Sequence, residues 1–142
     1  MLDEIKKSLP RDFATRQHVT YVEPFAGGGA VMFWILQAYP NIEKAVINDI
    51  NEELICTYRV IKESVEKLIS ALSRIQEEYI PLNAEARMDY FMAKRALFNT
   101  RKTSPVETAA LFIFLNRTCF NGLYRVNSKG EFNVPHGKYA KP

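Results

Sequence analysis

Two stretches of this sequence carry side chains whose types and spacing could do chemistry. The first is Glu23-Pro24-Phe25-Ala26-Gly27-Gly28-Gly29, with Asp49 following 20 residues after Gly29. Glycines where a strand hands over to a helix let the backbone approach a ligand and leave helix N-terminal N–H groups to receive it. The pattern is not the G-x-G-x-x-G dinucleotide fingerprint. An acidic residue at the carboxyl end of the next strand, here Asp49, can accept from both ribose hydroxyls of a nucleoside. A diphosphate would want a basic partner, and the turn has none. Glu23 would repel phosphate, yet it suits the cationic amino-acid part of S-adenosylmethionine. An adenosine-containing ligand is therefore expected. Two plainer alternatives stay open: a tight turn with no ligand, and Asp49 or Asn51 as an N-cap for the following helix.

The second stretch is LNRTCFNGLYRVNSKGEFNVPHGKY, residues 115–139. It interleaves Arg117, Arg125, Lys129 and Lys138 with Phe120, Tyr124, Phe132 and Tyr139, and adds Asn116, Asn121, Asn127 and Asn133. Basic groups neutralise phosphates, and Arg and Asn read guanine and adenine edges bidentately. Aromatic rings stack on, or wedge into, a disturbed base stack. A solvated loop whose aromatic rings pack on the core is the competing reading.

Positioning these groups falls to a short list of elements. HVTYVEPF (18–25) has the β-branched and aromatic content of a strand, AVMFWILQAY (30–39) that of an apolar helix stopped near Pro40, and KAVIND (44–49) that of a second buried strand. Strand, glycine turn, helix and strand make a βαβ unit with parallel strands, hence an α/β fold. Apolar residues at helical spacing then run through 51–79 until Pro81 breaks the pattern. Further helices are expected over 85–99 and 105–115, the latter started by Ser104 before Pro105. Beyond Arg117, glycines and Pro135 punctuate a loop or hairpin in which 124–126 could pair with 131–134. This divides the chain into a βαβ part (1–50), a helical insertion (51–116) and a basic loop (117–142).

Charge and composition narrow the function classes. The chain has 142 residues and a net charge of +3. Residues 117–142 hold five basic side chains against Glu131 alone, so this segment carries +4 and the remainder −1. Such a tail fits nucleic acid, although a solvated surface has the same composition. No apolar run approaches the ~18 residues of a membrane span, and the charged N-terminus is unlike a signal peptide, so a cytoplasmic protein is expected. Cys56 and Cys119 match no metal-ligand spacing, and both are read as reduced structural residues.

EPFAGGGAVMF, INDIN and FLNRTCFNGLYRVNSKGEFNVPHGKY, in that order, closely resemble the Dam-like DNA adenine-N6 methyltransferases. The family pattern runs E-P-F-x-G-x-G, then N/A-D-x-N, then F-L-N-R-x-x-[FY]-N-G-L-x-R-x-N-x-x-G-x-F-N-V-P-x-G-x-Y. The resemblance implies part of a Rossmann-like, S-adenosyl-L-methionine-dependent methyltransferase sheet with a helical target-recognition insertion. It implies cofactor contacts from Glu23, Pro24, Phe25, Ala26, Gly27, Gly28 and Gly29, with Asp49 on the ribose. It implies duplex DNA as partner: Phe120 wedging near a flipped-out adenine, Asn121 and Arg125 on bases, Arg117 and Lys138 on phosphate, and Asn127 in the same segment. Thr118, Cys119 and Val126 depart from common variants, which leaves the flanking preference within a GATC-like target open.

Relatives also carry K-W-x-G-G-K before this stretch and D-P-P-Y after it. The sequence has no Pro-Pro dipeptide, so no residue is assigned as catalytic, and a piece without turnover of its own is expected. A DNA-binding remnant and an enzyme acting on RNA or protein are the rival readings. The first strand should also lack one neighbour, which predicts self-association through an open edge or else a loosely packed monomer.

Overall fold

A computed structural model describes residues 2–139. Lys141, counted above in the basic tail, lies outside the described residues. The fold is mixed α/β, mostly helical, with a two-stranded parallel sheet. It divides into two compact units, Met1–Glu52 and Glu53–Pro142.

The first unit opens with helix α1 (Leu2–Ser8), which the hydrophobic pattern does not announce because none of its residues is buried. Asp3 and Glu4 in its first turn and Lys6 and Lys7 in its last complement the helix dipole instead. Strand β1 (Val19–Glu23) alternates between exposed and partly buried positions, as a half-covered strand should. Helix α2 (Ala30–Ala38) buries Met32 and Ile35 and gives way at Tyr39, before Pro40. Tyr39 meets Phe13 edge-to-face at 4.9 Å, while the Asn41 amide donates to the Phe13 and Arg16 carbonyls at 2.8 and 3.0 Å.

Strand β2 (Ile42–Ile47) runs parallel to β1, with Tyr21 opposite Ala45 and Glu23 opposite Ile47. It starts and ends two residues earlier than the expected 44–49. The cause is that Asn48 and Asp49 serve the glycine turn: Asn48 N–H donates to the Glu23 carbonyl, and Ala26 N–H donates to the Asn48 carbonyl, both at 2.9 Å. Among the described residues β1 pairs with β2 alone, and the facing pair Val22 and Val46 is 61% and 41% exposed.

The second unit is a helical bundle. Helix α3 (Glu52–Tyr79) spans the expected 51–79 but is kinked at Ser64 (φ −151°, ψ 38°), which the uninterrupted apolar periodicity does not foretell. Helix α4 (Ala84–Asn99) is capped by the Asn83 side chain, which accepts from Ala86 N–H at 2.9 Å. Helix α5 (Pro105–Thr118) starts where Ser104 and Pro105 predict it but runs three residues past 115. Asn116 and Thr118 donate to the carbonyls four residues back, and Cys119 N–H to the Leu115 carbonyl, which carries the helix through its last turn. Arg117 therefore sits on a helix, where its charge faces the negative end of the dipole, and not in the loop expected from 117 onward.

Phe91, Phe98, Leu111, Phe114 and Leu115 form the core of this unit, and Phe132 and Val134 of the C-terminal stretch are buried among them. Aromatic edges dominate: Phe114 meets Tyr79 at 5.2 Å and Tyr90 at 5.7 Å, both nearly perpendicular.

Candidate functional site

The glycine turn is built around one carboxylate. Asp49 Oδ2 accepts from Gly27 N–H and Oδ1 from Asn51 N–H, each at 2.9 Å. The backbone amides of Asn51 first, then Gly27, hold the Asp49 carboxyl below the usual carboxylate range. It is therefore ionised at neutral pH, and both oxygens keep a lone pair for a further donor. Asp49 also bonds the amide two residues ahead, a turn before α3 and not the N-cap bond of the plain alternative, which would go to an amide inside the helix.

Gly27 and Gly29 have φ of 48° and 74°, values that side-chain-bearing residues rarely adopt. A carbon added at Gly27 or Gly28 would meet no atom within 4 Å, so the turn opens onto free space. Gly29 precedes α2 and supplies no capping side chain. Ala26 and Gly29 are buried and form the floor, while Pro24 and Phe25 project, Phe25 at 85% exposure. Glu23 accepts from the Tyr21 hydroxyl at 2.7 Å. Burial, and then that bond, push the Tyr21 hydroxyl far above its usual range, so it remains a donor. The sequence reading passed over Ile50, which directly follows Asp49 and is 97% exposed. Its signal was an apolar residue placed immediately after the acidic strand end. These features fit S-adenosyl-L-methionine: an ionised acceptor for the ribose, a glycine turn open to close approach, an acidic residue for the amino-acid end, and exposed apolar side chains for a base.

The C-terminal stretch is a fixed hairpin. Val126 and Phe132 form an antiparallel bridge, and Asn133 N–H donates to the Arg125 carbonyl at 3.1 Å, inside the expected pairing of 124–126 with 131–134. Asn127 shapes its tip, accepting from Lys129 N–H at 2.9 Å and Glu131 N–H at 3.0 Å while donating to the Glu131 carboxylate at 2.8 Å. Arg125 is aimed across the hairpin, with Nε donating to Asn133 Oδ1 at 2.8 Å.

Three α4-side residues that sequence reasoning missed mount the hairpin. Arg95 donates to the Val134 carbonyl (3.1 Å), Asn99 donates to the Phe132 carbonyl (3.0 Å) and accepts from its N–H (2.8 Å), and Arg101 donates to the Gly130 carbonyl (2.7 Å). Arg101 is also ion-paired with the buried Glu53, which accepts from the Tyr124 hydroxyl at 3.3 Å. Each partner lies 29 to 71 residues away in sequence, so no local pattern announces it.

A second bridge joins Cys119 to His136, with Phe120 N–H donating to the Pro135 carbonyl (2.9 Å) and Gly137 N–H to the Thr118 carbonyl (2.8 Å). Burial pushes the Cys119 thiol up, as suits an inert structural cysteine. Around this bridge Arg117, Phe120, Asn121 and Lys138 are all exposed, and Asn121 (φ 54°) donates its N–H to the Tyr139 hydroxyl at 2.8 Å. Four of the six DNA-side candidates are thus held within two residues of one bridge, Arg125 lies along the hairpin, and Asn127 has its side chain engaged at the tip. No cluster of three or more metal-ligating side chains occurs among the described residues, and no helix there is long and apolar enough to cross a membrane.

The family model for D12 class N6 adenine-specific DNA methyltransferases matches residues 1–142. The chain belongs to this family. It is 46% identical over its whole length to the Type II methyltransferase M.MjaIII of Methanocaldococcus jannaschii, covering 50% of that protein. It is 38% identical to the DNA adenine methylase of Haemophilus influenzae over 98% of the chain, and 35% identical to that of Serratia marcescens over 100%. The chain covers 43% and 46% of these two proteins, so it spans half or less of the length of these three relatives.

Proposed function

We propose that this chain serves methyl transfer from S-adenosyl-L-methionine to the N6 of adenine in a short duplex DNA site, as part of a Rossmann-like methyltransferase with a helical target-recognition insertion. The observation that carries the reading is the ionised Asp49 carboxylate, held by the Gly27 and Asn51 amides beside an open glycine turn. When bound, the cofactor supplies an electrophilic methyl group on a sulfonium. In this reading Asp49 takes the ribose hydroxyls, Glu23 faces the amino-acid end, and residues 24–29 with Ile50 line the base and backbone side. Arg117 and Lys138 meet phosphates, Phe120 wedges beside the extruded adenine, and Asn121 and Arg125 contact base edges. Asn127 acts by keeping the hairpin in shape.

The DNA half of this reading is tested by salt titration of duplex binding. If three to five phosphates are neutralised, log K falls with log salt at a slope of roughly −3 to −4. Arg117→Ala is expected to flatten that slope by about one unit for every sequence, whereas Arg125→Ala relaxes base preference. Absence of binding even at low salt would remove the interface.

The exposed Val22–Val46 face and the open edges of the β1–β2 pair also support strand-mediated self-association of this chain. Sedimentation is expected to show concentration-dependent dimers, and a tight monomer that binds no apolar dye would count against them.

A further inference from the structure

The Cys119–His136 bridge sits at the centre of the candidate base-reading residues, and one side of it is anchored by the His136 imidazole. His136 Nε2 lies 2.8 Å from the Tyr79 hydroxyl of α3, and its ring lies tilted against Phe91 of α4 at 5.2 Å. His136 Nδ1 is buried and has no hydrogen-bond partner among the described residues. A neutral imidazole tolerates this arrangement as the Nε2–H tautomer, which donates to the Tyr79 oxygen and leaves Nδ1 a bare, uncharged acceptor. An imidazolium does not, because both nitrogens then carry N–H donors and one faces no acceptor.

Among the described residues the surroundings offer no compensating anion. From α4, the Arg87 guanidinium lies over the Tyr79 ring at 5.1 Å. From the C-terminal segment, Lys138 is two residues away, and the facing Cys119 is a neutral thiol. Tyr79 contributes only a hydroxyl, which burial keeps protonated by raising its pKa. Burial first, then the charges of Arg87 and Lys138, hold the His136 imidazole below its ordinary range.

We infer that Tyr79 and His136 form a latch that positions residues 117–139 for DNA, and that protonation of His136 releases it; the DNA half of this inference rests on the function proposed above. The sign follows from linkage. The released segment binds the proton more readily than the docked one, so docking is complete above the ordinary histidine value of about 6.5 and is lost as pH falls below it. Release parts residues 135–137 from Tyr79 and Phe91 and carries Phe120 and Asn121 with it. DNA affinity therefore falls on acidification, by at most tenfold per pH unit for a single proton. The direction is diagnostic, since acid otherwise adds positive charge and strengthens DNA binding.

The test follows imidazole and amide NMR signals of the chain between pH 8 and 5, with His18→Gln to assign the two histidines, alongside duplex affinity over the same range. His136 should titrate below 6.5, with the Phe120 and Gly137 amides moving in step and affinity falling. His136→Gln, which can still reach the Tyr79 hydroxyl but cannot titrate, should match the parent at pH 7.5 and lose the acid-induced fall. Tyr79→Phe should loosen the same amides at pH 7.5, where the imidazole is neutral. The latch is overturned if His136 titrates at or above 6.5 with unmoved amides, if His136→Gln keeps the acid-induced fall, or if Tyr79→Phe leaves the amides unmoved. Should no DNA bind at any pH, the interface is wrong, and the amide titration alone decides the latch.

Discussion

Replacing Phe132 with alanine is expected to destabilise the helical unit by about 3–5 kcal/mol, the usual cost of emptying a buried phenylalanine site. Phe132 is 1% exposed, and its ring meets Phe98 at 6.2 Å and Tyr124 at 5.8 Å. Tyr124 leans in turn on Phe112 and bonds the buried Glu53, so the vacated volume weakens the setting of the Glu53–Arg101 pair as well. Urea unfolding followed by near-ultraviolet circular dichroism measures the loss, and Phe132→Leu should recover most of it. A change below about 1 kcal/mol would mean that the hairpin is not part of the core and that its helices stand without it.

Asp49→Ala is the second large effect, expected to weaken S-adenosyl-L-methionine binding by about 1–3 kcal/mol, roughly five- to 150-fold. Two losses combine: the acceptor proposed for the ribose hydroxyls, and the bond that fixes the Gly27 amide. Asp49→Asn retains one acceptor oxygen and should fall between the two. Because the folded state depresses this carboxyl, its contribution is complete above the ordinary aspartate value of about 3.9 and is lost only as pH falls through the lower folded value. The Asp49 contribution should therefore stay constant from neutral pH down to about 5. Equal calorimetric affinities for Asp49→Ala and the parent would end the ribose assignment and leave Asp49 as a brace for the entrance to α3.

The parts of the fold that were legible in sequence are those encoded locally. The periodicity of 51–79, the Ser104–Pro105 start and the glycine turn before an apolar helix all correspond to elements in the structure. α1 was missed because it buries nothing, and the end of β2 was overrun because Asp49 is hydrophobically invisible while its side chain redirects the chain. The candidate-site residues could be named individually, but their mutual fixing could not. Phe132 and Val134 read as loop aromatics and aliphatics until α4 and α5 are seen to close over them. The anchors Arg95, Asn99, Arg101 and Tyr79 lie in helices whose sequences give no hint of a distant hairpin.

The mounting of that hairpin separates holding from reading. Arg95, Asn99 and Arg101 grip it through main-chain atoms at Gly130, Phe132 and Val134, while the intervening Glu131 is exposed and Asn133 half-buried. Every residue has a carbonyl, so the grip is indifferent to what the intervening positions are. Replacing a side chain on the hairpin therefore leaves these three main-chain anchors in place, and the helices hold a frame whose surface can differ without a change in the helices themselves.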